Sequence, residues 1–228
     1  MCYNKETSLS AYIIGIVSSL VLFFYGDKYD KHIAFFVFIF IQIQLAEFFM
    51  WKDQECKKVN HSATIFSHII LLLQPISVLL GGLIFQTFSL PNSIVYIALI
   101  ITLIPLIKAI ISNIKNKRIL CSRKVNKSGH LEWDFSTGNF DKWPIFDRSM
   151  YYTFLILFMF IPWLFLKNRM KGVLSFAIIF FSFLFSKIDT KDINLKFEQW
   201  ESKWCFIGVI YPIIFLLLKI LPKKWKID

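Results

Sequence analysis

The chain has 228 residues, 56% hydrophobic, 18% aromatic and only 18% charged, with 26 Phe and a formal net charge of +11. Soluble domains average about 45–50% apolar and about 25% charged residues. The composition therefore excludes an ordinary soluble domain, and equally a disordered chain, a collagen-like repeat or, with 4 Cys, a disulfide-dense miniprotein. The lysines lie between long apolar runs, so the positive charge points to membrane flanks rather than nucleic acid.

A spanning helix needs about 20 mainly apolar residues to cross roughly 30 Å of hydrocarbon at about 1.5 Å per residue. Segments near residues 9–24, 32–51, 61–85, 91–112, 149–166, 170–188 and 203–221 meet that test. The predicted fold is an all-α membrane protein, one polytopic domain built as a bundle of about seven transmembrane helices. Six spans result if the fifth and sixth form a re-entrant pair. Continuous apolar runs without period-2 alternation exclude a barrel. The first run lacks a small-x-small cleavage site after Phe24 and reads as a retained span, with Thr7 or Ser8 as its cap.

An odd number of spans puts the termini on opposite sides, here called A (N-terminal) and B. Side A carries more Lys and Arg in total, but side B is denser per loop residue, so the positive-inside rule does not decide orientation. Cys2, Cys56, Cys121 and Cys205 all fall on side A, as do the sequons at Asn60 and Asn126. The tail, with Lys224 and Lys226 fifth and third from the end, matches a dilysine retrieval signal read in the cytosol. Together these favour a lumenal N-terminus and residence in the endoplasmic reticulum or a virus-modified host membrane. In a lumenal setting the four cysteines allow two disulfides, in any of three pairings. No CxxC, HxxxH or HExxH spacing is present, so no metal or other cofactor is expected.

Polar side chains inside spans are costly, and each asks for a reason. The second span carries Gln42, Gln44 and Glu47; Gln44, Glu47 and Trp51 share one helical face. The third carries Ser67, His68 and Gln74, the last directly before Pro75, where a kink is expected. Lys108 lies in the fourth span, and Trp204 and Cys205 open the seventh. Most of these belong to the side A half of the bilayer, and side B offers little beyond Ser18, Ser19, Ser175 and the Gly81-Gly82 pair. The expectation is a one-sided pocket open to side A, formed by Gln44, Glu47 and His68 with Gln74, Lys108, Trp204 and Cys205 around it. Packing glue between helices is the competing reading of the same residues. Trp51, Trp143, Trp163, Trp204 and Trp225 sit near span ends, as an interfacial belt requires.

The loop between helices 4 and 5 holds a second motif. Residues 119–125 and 130–135 flank Asn126-Lys127-Ser128-Gly129, with Leu131, Trp133 and Phe135 alternating with Glu132 and Asp134. That pattern predicts a small β-hairpin packing its Trp133 face on the helices.

The opening M-C-x-N-x-E-x-S of Met1 to Ser8, Gly129-His130-Leu131-Glu132-Trp133, and Ser202-Lys203-Trp204-Cys205 resemble an uncharacterised family of multi-span proteins from large DNA viruses and protists. The resemblance implies membrane residence and no known activity. A retinal protein is excluded by the lack of a lysine deep in the last span, and a ceramidase-like zinc hydrolase by the few histidines and absence of an intramembrane Asp. The expected function is therefore a non-enzymatic membrane or interaction protein. Its partners are the bilayer and either a small solute or another membrane protein. One alternative is a small-solute transporter of three-plus-one-plus-three helices, which the layout resembles loosely. The second is a lipid-modifying enzyme using His68 and Glu47 as acid and base.

Overall fold

The computed structural model describes residues 4–115, 119–124, 131–134, 160–188 and 208–220. The helices are α1 (Lys5–Tyr25), α2 (Lys28–Phe40), α3 (Gln42–Lys52), α4 (Lys58–Ile84), α5 (Asn92–Lys115), α6 (Ile161–Leu164), α7 (Arg169–Ile188) and α8 (Ile210–Ile220). α2 and α3 follow one axis across a single turn at Ile41. Together they make one of four helical segments long and apolar enough to cross a membrane, alongside α1, α4 and α5. The rest of the predicted fifth span outside Phe160–Leu166, and residues 203–207 of the seventh, lie outside the described residues.

Capping chemistry moves the predicted boundaries. α1 starts at Lys5 because Asn4, not Thr7 or Ser8, supplies the cap, its side chain accepting from Thr7 N at 2.8 Å. α2 starts four residues earlier than expected. Asp27 accepts from the backbone N–H groups of Tyr29 and Asp30, while the Asp30 carboxylate accepts from Asp27 N, a complete capping box. His32 consequently lies in the second turn of a helix. α4 runs unbroken through Pro75, which removes one N–H from the ladder, and the Ser77 hydroxyl bonds the Gln74 carbonyl at 2.6 Å.

α2–α3 and α4 form the centre, with 61% of the most apolar window of each buried; the corresponding share in α1 and α5 is 28%. α1 and α5 flank this pair and turn rows of Ile, Val and Phe outward, among them Ile13, Val17 and Phe24 on α1 and Ile97, Ile100 and Ile104 on α5. Exposed apolar rows of that extent are foreign to a water-soluble surface and match a lipid-facing one. α8 packs on α1 and α2, and α6 on α7. The seam between α2–α3 and α4 is antiparallel, with His32 against Val78 at one end and Asn60 against Met50 at the other. Close approach is permitted by glycine: a Cβ on Gly81 would lie 2.9 Å from His32 Nε2, and one on Gly15 would enter the Ile41 side chain.

Two short strands, β1 (Arg123–Lys124) and β2 (Leu131–Glu132), pair antiparallel with Arg123 opposite Glu132. Leu131 and Trp133 are buried, so the alternation in the sequence does turn one face of this ladder inward. The turn between the strands, including Asn126, lies outside the described residues.

Candidate functional site

Buried polar side chains are found along the whole central seam, at three levels. The expected one-sided distribution is overturned at the end opposite the hairpin. There Asp30, almost fully buried, accepts from Lys171 at 2.9 Å and pairs with Lys219 at 2.7 Å, while Lys171 also bonds Asp27 at 2.5 Å. Asp27 and Asp30 come from the α1–α2 turn, Lys171 from the start of α7 and Lys219 from the end of α8, so the cluster ties three elements together. Gly26 allows the turn, since a Cβ there would meet both the Leu22 carbonyl and the Asp30 side chain. Burial alone would raise the Asp27 carboxyl. The Lys171 ammonium and the N–H groups of Asp30 and Tyr29 outweigh it and hold the group below the ordinary carboxylate range.

Two residues further along α2, His32 is fully buried. Its Nε2 is 2.7 Å from the Val78 carbonyl and its Nδ1 2.8 Å from Thr87 Oγ1. A carbonyl only accepts, so in the neutral ring Nε2 carries the proton and Nδ1 accepts from the threonine hydroxyl. The imidazole stacks on Trp163 with centroids 5.2 Å apart. Trp163 is therefore a core residue and not part of an interfacial belt, because the α6 turn folds it inward against α2. Thr87 is held in turn by a short antiparallel contact, in which Lys167 N donates to the Thr87 carbonyl and Ser89 N to that of Phe165.

At the middle level lie most of the residues singled out from the sequence. Gln44 and Glu47 are fully buried and joined, Gln44 Nε2 donating to Glu47 Oε2 at 3.0 Å. Gln74 is fully buried on α4, and among the described residues neither side-chain polar atom has a hydrogen-bond partner. His68 is half-buried on the same helix. Lys108 is exposed on α5, off the buried row Val95, Leu99, Thr102, Leu106 and Ala109, so the structure does not bring it to the others. Trp204, Cys205, Lys224 and Lys226 lie outside the described residues. Among the described residues no group of three His, Cys, Asp or Glu is placed to hold a metal ion.

The third level, at the hairpin end, centres on Asn60. Its amide donates to the carbonyls of Met50, Asp53 and Ser122, and its oxygen accepts from Ser122 N at 2.9 Å. Thr64 Oγ1 meets Ser122 Oγ at 2.9 Å, and Gln54 accepts from Lys124 N at 2.8 Å. A disulfide joins Cys56 to Cys121 with Cα atoms 5.3 Å apart. Asp53 caps the start of α4 by accepting from Asn60 N and Lys57 N, and the bond from Asn60 leads in holding its carboxyl below the ordinary range. The Asn60 sequon is thus consumed by structure, its amide nitrogen already engaged in three hydrogen bonds.

Sequence reasoning missed Asp30, His32, Lys171 and Asn60. The first had a readable signal, the D-x-x-D pattern of Asp27 to Asp30 immediately before an apolar run, which is a helix-start signature. The others depend on long-range contacts that no local pattern encodes. Compared with known protein families, with characterised proteins and with solved structures, the chain matches none.

Proposed function

We propose that this chain is a multi-pass membrane protein of about seven spans that works as a non-enzymatic membrane component, presenting its docked hairpin to a partner on side A. One observation carries the reading: three of the buried polar groups, Asp30, His32 and Asn60, join helices to one another. Asp30 accepts from two lysines of other helices, His32 bridges α2 to α4 and to Thr87, and Asn60 ties α3, α4 and Ser122. A catalyst needs such groups turned toward substrate. The Cys56–Cys121 pairing supports a lumenal side A, because disulfides persist in oxidising compartments. With that orientation the tail lysines Lys224 and Lys226 would face cytosolic coat proteins and hold the protein in the endoplasmic reticulum.

The test is expression with microsomes, comparing wild type with Asn126→Gln. A mass shift lost in the variant places side A in the lumen. If no shift occurs, labelling of Cys56 and Cys121 by an impermeant maleimide after mild reduction decides the side directly.

A second reading, a small-solute transporter, is favoured by the presence of fully buried polar side chains at several levels of the central helices, Asp30 and His32, then Gln74, Gln44 and Glu47. It predicts solute flux in proteoliposomes that Glu47→Gln abolishes while the protein still folds. A carrier-independent leak, unchanged by the substitution, sinks it.

A further inference from the structure

Cys56 and Cys121 are both only half-buried, and the Arg123 guanidinium lies across their sulfurs, with Nε 2.9 Å from Cys56 Sγ and 3.1 Å from Cys121 Sγ. Arg123 is exposed. Cys56 itself sits at φ 62°, the left-handed region that side chains with a Cβ seldom occupy. A bridge needed only to fasten the hairpin would be redundant here. The bonds from Asn60, Thr64 and Gln54 to Ser122 and Lys124, and one from Leu120 N to His61 Nδ1 at 3.0 Å, already hold that segment to the helices.

We propose that Cys56–Cys121 is a thiol–disulfide exchange site for small-molecule thiols, with Arg123 as its positioning residue. An incoming thiolate forms a bond to one cysteine sulfur. The S–S bond breaks and its electron pair stays on the other sulfur, which leaves as a thiolate beside the guanidinium. A second thiolate then attacks the mixed disulfide and releases the second cysteine. In sum, two small thiols are oxidised to one disulfide and the protein pair is reduced to a dithiol. A neighbouring cation lowers the thiol pKa and so makes it a better leaving group and, in reverse, a better nucleophile at neutral pH. Because the bonds from Asn60, Thr64, Gln54 and His61 to this segment do not involve the sulfurs, the pair opens and recloses without unfolding the hairpin.

The experiment uses the full-length chain in detergent, with Cys2→Ser and Cys205→Ser so that only one pair reports, and glutathione as the probe. Reduction is followed by the gel shift of a maleimide polymer. Complete reduction under native conditions is expected, with a melting temperature close to that of the oxidised form. Arg123→Gln should slow reduction by about tenfold and raise the pH at which the reduced pair is labelled, whereas Arg123→Lys retains most of the rate. Reduction that occurs only in denaturant overturns the proposal. So do cysteines already free on purification, or a rate and pH profile identical in Arg123→Gln and wild type.

Discussion

Asp30→Asn is the sharpest probe of the bundle's charged end. The amide keeps the shape of the carboxyl and an acceptor for Asp27 N, but it removes the negative charge from between Lys171 and Lys219. Removing one partner of a buried ion pair costs about 3–5 kcal/mol, because the remaining charge is left uncompensated. Two features reduce that here. The Lys219 side chain is 35% exposed and turns to water, and Lys171 retains Asp27, itself 51% exposed. The net cost should fall near the low end, about 3 kcal/mol. In a chain of this length 1 kcal/mol corresponds to about 2–4 °C, so the melting temperature should drop by about 6–12 °C. Thermal unfolding in detergent, followed by tryptophan fluorescence, reads this through Trp163 stacked on His32. Adding Lys171→Met to Asp30→Asn should recover about 1 kcal/mol or more, since the buried ammonium, left with the half-exposed Asp27 as its one remaining carboxylate, is then gone. A single variant within about 2 °C of wild type, or a double variant losing the sum of both singles, would refute the assignment.

Gly81→Ala should cost about 1–3 kcal/mol, because the new Cβ enters the contact distance of the His32 ring and forces α2 and α4 apart; the melting temperature checks it. Asn60→Ala leaves Ser122 N and O without their partner and should expose the β1–β2 segment to protease, with a stability loss of about 2–4 kcal/mol. Asp27 and Asp53 are both held below their ordinary values, so the stability they confer is complete above the unfolded carboxyl value of about 3.9 and disappears as pH falls through the lower folded values. A melting temperature flat from about pH 7 to 5 and falling only below about pH 4 is expected. A decline already complete at about pH 5.5 would contradict the role given to these two groups.

Hydropathy was enough to find α1, α2–α3, α4 and α5, because each is an unbroken apolar run whose ends are set by charge and capping residues within a few positions. The hairpin was legible for the same reason: alternation around Trp133 is local. The distribution of polar groups was not. Asp30 and Lys171 looked like ordinary flanking charges, since each stands at the margin of an apolar run. Only the folding of the α1–α2 turn against α7 and α8 makes one carboxylate a buried hub. His32 likewise reads as the polar edge of a span until the capping box extends α2 backwards and carries the imidazole inside. Lys108 failed in the opposite sense. Helical position places it on α5, but the face that packs is the one through Val95, Leu99 and Leu106.

The antiparallel seam also bears on how the chain enters a bilayer. A polar side chain inside an inserting helix is costly until it finds a partner. Segment α2–α3 brings His32 and α4 brings Asn60, and each finds its acceptor on the other segment, His32 at the Val78 carbonyl and Asn60 at the Met50 carbonyl. Biogenesis should therefore treat the two as one helical hairpin, partitioning into lipid together. A nascent chain ending before Lys58 should insert its second segment less efficiently than one ending after Ile84.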